Sequence, residues 1–273
     1  MRNAIKWALH LTTYLITGIM FFPLLWIFLN AFKTEADAYH SPPLFIFHPV
    51  LTNVINAFGG GEYLHFLSNS FIISIGSVII ANILGLPLAF YLAELKWNGK
   101  GDNLFMWCLS TRFMPAAGII IPLYVIFNKS HLLDSIPGML IIYIAISIPF
   151  IVVVMRSFFL DIPYSVVEAA IVEGAGFWQL FFRIILPMAT PGIATSSILA
   201  IIFNWNEYFF AVNLSGTYAG TLPVYLASFM TSEGLFWARV SGIAVLAILP
   251  ILILGWLAQN RIVRGLTLGA VKE

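Results

Sequence analysis

Six long apolar runs constrain this chain more than any other feature. They lie at roughly 8–31, 69–93, 104–127, 136–158, 188–214 and 240–259. A helix needs about 20 apolar residues to cross a bilayer, and each run is of that order. Only 9% of the 273 residues are charged and 60% are hydrophobic, whereas a soluble domain carries about 25% charge. Such a chain cannot cover its surface with polar groups, so its solvent is largely lipid. The runs are long and continuous rather than short and alternating, which selects helices over a barrel. The expected fold is an all-α integral membrane protein. It has six transmembrane helices in one domain over 1–273, a loop over 159–187 and a tail over 260–273. Arg2 and Lys6 precede the first run as they would a signal peptide. That run is long for a signal core and lacks a small-residue cleavage site, so it is read as a membrane helix.

Positive charges set the orientation. With the N-terminus inside, Arg2, Lys6, Lys96, Lys100, Arg156, Arg183, Arg261, Arg264 and Lys272 are cytoplasmic, nine in all. Lys33, Lys129 and Arg239 are external, which is three, and Arg112 lies within a helix. Both termini and the 159–187 loop are therefore expected in the cytoplasm. A net charge of +1 gives no case for binding nucleic acid. The single cysteine, Cys108, excludes an internal disulfide and a cysteine metal cluster. His10, His40, His48, His65 and His131 are scattered without metal-ligand spacing, so no metal site is expected.

The cytoplasmic loop contains "VVEAAIVEGAGFWQLFFRIILP", residues 166–187. Asp161-Ile162-Pro163 is a helix-start signal. Val166, Val167, Ala170 and Ile171 then recur at helical spacing. Gly174 and Gly176 end or bend that helix. Phe177, Phe181 and Ile185 follow at four-residue steps, with Trp178 and Phe182 beside them and Gln179 and Arg183 on the other side. Pro187 marks the entry to the fifth span. Periodicity alone leaves two readings open: a docking element, or an amphipathic segment resting on headgroups.

Glu168-Ala169-Ala170, three residues, Gly174, nine residues, Ile184, one residue and Leu186-Pro187 resemble the EAA loop of ABC importer permeases. Every fixed position is present; Glu173 stands where the family often has Asp. "LLDSIPGMLIIYIAISIPFIVVVMRSFF", "NWNEYFFAV", "TLPVYLASF" and the C-terminal "RGLTLGAVKE" are similar to the carbohydrate-uptake branch, the maltose and glycerol-phosphate type. The resemblance implies that the loop is a coupling helix seated in a cleft on a separate ATPase. Glu168, Ala169, Ala170 and Gly174 would make the contact, with Leu186 and Pro187 closing the motif. It also implies a dimer of ATP-binding cassette ATPases that hold ATP and Mg, a homologous second permease subunit, an extracytoplasmic substrate-binding protein and a bacterial inner-membrane location. The chain has no G-x-x-x-x-G-K-[ST] phosphate loop of its own, so it is not expected to be an enzyme or to hold a cofactor. The tail, 265–272, is expected to reach the ATPases.

Polar groups inside a membrane are functional candidates, because burying them in lipid is costly. On a continuous fifth helix Asn204, Glu207 and Tyr208 share a face, flanked by Trp205 and Asn206. Glu207 would lie about 30 Å from Pro187, near the outer mouth. These residues either line a sugar pathway or bind helix to helix. Arg112 in the third span either faces a water-filled cavity or a carboxylate, or snorkels to the surface. Ser74, Ser77 and Asn82 are expected to make interhelical hydrogen bonds. An ion-coupled secondary transporter, using Glu207 and Arg112 as a charge relay, is the alternative function. It needs no docking loop and usually shows internal repeats. A membrane scaffold would leave the EAA pattern unexplained.

Overall fold

The computed structural model describes residues 2–59, 61–99, 102–231 and 234–268; Lys100 and the end of the expected tail, 269–273, lie outside them. The helices in chain order are α1 (Arg2–Ala31), α2 (Glu35–Ala38), α3 (Thr52–Gly59), α4 (Glu62–Trp97), α5 (Asn103–Ser110), α6 (Ala116–Lys129), α7 (Ile136–Leu160) and α8 (Tyr164–Val172). They continue with α9 (Phe177–Leu180), α10 (Leu186–Met188), α11 (Thr190–Trp205), α12 (Phe209–Leu214), α13 (Leu222–Ala227) and α14 (Trp237–Leu268). A widened π turn, Phe181–Ile185, joins α9 to α10. The one departure from an all-helical fold among the described residues is a two-residue antiparallel ladder, β1 (Met230–Thr231) on β2 (Gly234–Leu235).

Four stretches are long and apolar enough to cross a membrane unaided: Leu9–Ala31, Glu62–Trp97, Ile136–Leu160 and Trp237–Leu257. The count reaches six only if each of two sharply bent pairs is one span. The expected third span, 104–127, breaks by 88° between Phe113 and Ala116. Pro115 forces its predecessor out of the helical region, and Met114 sits at ψ 121°. The hydroxyls of Ser110 and Thr111 cover carbonyls at that end, those of Trp107 and Cys108, each at 2.7 Å. Pro23, Pro87, Pro122, Pro149 and Pro250 lie inside helices that continue past them.

The expected fifth span, 188–214, is also corrected. Met188 belongs to a segment bent 77° from α11, and α11 stops at Trp205. The stretch expected as a tail from 260 continues α14 as far as Leu268.

The chain forms two compact units, residues 1–65 with 225–250, and 66–224 with 251–273. In the first, Glu35 caps α14: its carboxylate accepts from the backbone N–H groups of Ala238 (3.0 Å) and Arg239 (2.9 Å). Asn53 donates to the carbonyls of Ala31 (3.0 Å) and Lys33 (2.7 Å), holding the end of α1. Lys33, expected in an external loop, is buried. Its ammonium donates to Asn30 Oδ1 at 2.9 Å and stands 4.1 Å from the Trp26 ring centre. Desolvation lowers its pKa, partly offset by the charge of Asp37.

In the second unit α7 and α11 pack closely. A Cβ on Gly192 would lie 2.6 Å from the Phe158 ring, and one on Gly85 of α4 would lie 3.3 Å from Ile151. One apolar cluster joins the C-terminal halves of α4 and α7 to α8 and α9. The other joins Ile73 of α4 to Phe127, Met139, Tyr143, Phe210 and Leu214. Gly192→Val is expected to lower the thermal unfolding temperature in detergent, by overpacking worth about 1–3 kcal/mol. Phe158→Ala in the same chain should recover part of that loss.

Candidate functional site

Two regions carry the residues singled out from sequence. The first is the 159–187 loop. Helix α8 buries Val167 and Ala170 in the apolar cluster and leaves Glu168 and Ala169 exposed. Of the expected apolar face, Val166 is half-buried and Ile171 is 52% exposed; Val172 beside it is 87% exposed, so these last two have no cover within this chain. The helix ends in a defined stop. Gly174 takes φ +84°; its N–H donates to the Ile171 carbonyl (2.9 Å) and that of Ala175 to the Ala170 carbonyl (2.9 Å). That is the paired bonding of a Schellman cap, and the left-handed residue it needs is cheapest as glycine. The glycine segment expected to end or bend the helix thus ends it in a capped corner. Leu186 is half-buried and Pro187 is exposed on α10.

The base beneath α8 is aromatic and ionic. Phe90 of α4 lies 5.7 Å from Phe159, 5.4 Å from Phe177 and 5.7 Å from Phe181, centre to centre. Trp97 at the end of α4 meets Tyr164 of α8 at 5.5 Å. Asp102, after α4, accepts from Lys96 (3.0 Å) and from the guanidinium of Arg156 on α7 (2.5 Å). Arg156, counted from sequence as a surface charge, is buried and lies 4.1 Å from the Phe105 ring centre. Charge counting could not have found this triad, since Arg156 lies 54 residues from Asp102 and meets it only through the fold.

The second region is a cavity of about 240 Å³ lined by Arg112, Ile146, Ser147, Phe150, Ala200, Phe203, Asn204 and Glu207. Three sequence candidates, Arg112, Asn204 and Glu207, thus meet, and Ser147 joins them unanticipated. Trp205, Asn206 and Tyr208 are not in its lining. Trp205 is buried edge-on against Phe71 at 5.0 Å, Asn206 donates to the Ile202 carbonyl at 2.8 Å, and Tyr208 is 43% exposed. The shared helical face expected for Asn204, Glu207 and Tyr208 does not exist, because the helix stops at Trp205.

Glu207 works at that stop. Its carboxylate accepts from the N–H groups of Phe210 (2.9 Å) and Ala211 (3.1 Å), capping α12, and from the hydroxyl of buried Tyr143 (3.1 Å). Asn204 is buried and donates to Ser77 and Ser147, both at 2.9 Å. Asn82 donates to Ser197 at 3.0 Å. Ser77 and Asn82 therefore make the expected interhelical bonds. Arg112 sits on the turn at the broken span with its guanidinium carbon 5.0 Å from the Phe150 ring centre, and makes no ion pair among the described residues. No group of three or more His, Cys, Asp or Glu suited to a metal occurs among them either.

The family described as the binding-protein-dependent transport system inner membrane component matches residues 85–267. The trehalose transport system permease protein SugB of Mycobacterium tuberculosis is 35% identical over 278 residues, covering 99% of this chain and 98% of its own. The sulfoquinovosyl glycerol transport system permease protein SmoH of Agrobacterium fabrum is 30% identical, covering 94% and 90%. A bacterial ABC transporter that imports the acidic polysaccharide alginate has a chain superposing with TM-score 0.77 at 23% identity, over 94% of this chain and 96% of that one. A multi-pass apolar helical chain with this match belongs to the family of ABC transporter inner-membrane permeases. Its resemblance to the carbohydrate-uptake branch is met by relatives named for sugar transport.

Two expectations follow. Hydrogen bonding by Lys96, opposed in part by desolvation and aided by the charges of Arg156 and Lys96, holds the Asp102 carboxyl below its ordinary value of 3.8. Its stabilisation is complete above that value and fades as pH falls through the lowered one. Asp102→Asn should thus lower the unfolding temperature at neutral pH, where it strands the Arg156 charge, and flatten the loss of stability in acid. Glu207→Ala should destabilise the protein by about 0.5–2 kcal/mol through loss of the α12 cap, measured by unfolding with no substrate present.

Proposed function

We propose that this chain is one permease subunit of an ATP-driven, binding-protein-dependent importer of a sugar, polyol or related glycoside in a bacterial inner membrane. It has six spans, counting each bent pair as one, and cytoplasmic termini. A homologous second subunit completes the pathway, a substrate-binding protein delivers the cargo, and a dimer of separate ATPases binds ATP and Mg. The chain itself catalyses nothing. Helix α8 is the part the ATPase grips, through Glu168, Ala169 and the uncovered Ile171 and Val172.

The observation that carries this reading is the contrast within α8. An exposed tip stands on a rigid base. The tip is small and apolar with one charge, as a cleft-filling element needs to be. The base is locked by the Gly174 cap, the Phe90 stack and the Asp102 ion cluster, so displacement of α8 is passed to α4 and α7 rather than absorbed. Sugar relatives support the substrate class. The cavity of Arg112, Ser147, Asn204 and Glu207 is this subunit's share of the pathway. Ion coupling gains no support: both oxygens of the Glu207 side chain are engaged by two backbone N–H groups and the Tyr143 hydroxyl, and Arg112 is not its partner in an ion pair.

Reconstituted with its partners, the wild-type complex should take up sugar only when ATP is supplied. Glu168→Lys should abolish that uptake, by loss of ATPase association or of coupling, while the unfolding temperature of the permease stays unchanged. Normal ATP-dependent uptake by the variant would overturn the role of α8, and uptake driven by an ion gradient alone would overturn the class.

A further inference from the structure

The segment after the Gly174 corner is bent 77° from α11. Trp178 precedes the start of α11 by twelve residues, about 18 Å along a helix, so at this angle it lies only about 4 Å from the level of Thr190 along the α11 axis. The headgroup layer is about 5–7 Å deep on each side of the hydrocarbon. If α11 crosses the bilayer, α9 and α10 run within that layer instead of projecting into the cytoplasm.

Their surface divides into three sectors. Leu180, Phe181 and Ile185 are buried against the protein. Trp178 and Phe182 are 57% and 56% exposed and stack on each other at 5.7 Å with 21° between their planes. Gln179 and Arg183 are exposed and polar, and fall one helical step further round. A segment lying flat against a bundle at the membrane surface needs one face for protein, one for lipid and one for water, in that order. The amphipathic Trp ring favours headgroup level, an apolar Phe ring beside it buries at the acyl boundary, and a nearby cation favours anionic lipid.

We infer that Trp178 and Phe182 form a bilayer anchor, inserted among headgroups, that fixes the height of the cytoplasmic hairpin relative to the membrane. The hairpin is thus divided: α8 faces an aqueous partner, α9 and α10 face lipid. The anchor depends on α11 spanning the membrane and not on what α8 binds.

The test is spin labelling of the full-length chain in the assembled complex, reconstituted in phosphatidylcholine–phosphatidylglycerol vesicles. Cys108→Ala removes the native thiol, and Trp178→Cys, Phe182→Cys and Glu168→Cys carry the label one at a time. Oxygen concentrates in lipid and a nickel chelate in water, so the ratio of their collision rates reports the environment. Labels at 178 and 182 should favour oxygen several-fold over the chelate, whether the ATPase is present or stripped from the vesicles with urea. If both sites become open to the chelate once the ATPase is stripped, the rings belong to a protein interface and the anchor is wrong. The label at 168 reports separately. Accessibility to the chelate that persists with the ATPase bound would sink the docking role of α8 and leave the anchor untouched.

Discussion

A backbone N–H freed by a helix end inside an apolar chain has no water to turn to, and an unpaired one costs several kcal/mol. This chain breaks its helices repeatedly. At several of these breaks an acidic or amide side chain stands ready to accept or donate. Glu207 takes two N–H groups where α11 gives way to α12. Asp134 takes three, from Gly216 (2.7 Å), Tyr218 (3.1 Å) and Ala219 (2.8 Å), where the chain turns out of α12. Asn69 of α4 donates to the carbonyls of Tyr218 and Gly220 in the same turn, and Ser70 accepts from Leu222 at 2.8 Å. Glu35 does the same service for α14. A scarce carboxylate in a membrane chain invites a reading as a ligand or proton carrier; here these three are occupied with the main chain.

The cations follow a complementary rule. With those carboxylates committed to caps, basic side chains settle on rings, of which the chain has many: aromatics are 15% of the residues. Lys33 lies on Trp26, Arg112 on Phe150, Arg156 on Phe105 and Arg239 on Phe229. An aromatic face attracts a cation without needing a second charge in low dielectric. Among the described residues Arg156 alone of these four also holds a carboxylate in an ion pair, and its partner Asp102 is partly exposed, which limits the cost of desolvating the pair. Lys33 and Arg156, both counted in setting the expected orientation, are buried. Without them the count is eight basic residues against two.

Much of this was legible in the sequence, and the failures have physical causes. The apolar runs and the Asp161–Pro163 start signal placed α7, α8 and the start of α14 within a few residues, while α14 runs nine residues past its expected end at 259. Pro115 announced a break but looked no different from five other prolines that merely sit in helices. What set it apart was the polar Ser110-Thr111-Arg112 run before it, whose hydroxyls could take over the loose carbonyls. The stop at Trp205 has no proline or glycine to mark it. Its signal was the Asn204–Glu207 polar cluster followed by Phe209-Phe210, a capping pattern in which an acid sits just ahead of an apolar turn. Reading that cluster as one helical face put Tyr208 beside Asn204 and hid the cap. The triad of Lys96, Asp102 and Arg156 was beyond any local reading.

These features combine at the end of the fold that carries α8. A push on α8 can reach the membrane only if the corner at Gly174 does not fold and the joint with α4 and α7 does not slide. The first condition is met by two backbone hydrogen bonds and a residue free to adopt φ +84°. The second is met by interactions of different kinds. Phe90 interlocks by shape with rings from α7 and α9, whereas Asp102 ties the α4–α5 turn to α7 by charge. Shape resists sliding under compression and charge resists separation under tension. A joint that carries only one of these would transmit motion in one direction. Under the proposed function α8 would be driven both ways in each cycle, and a base held by both shape and charge suits that demand.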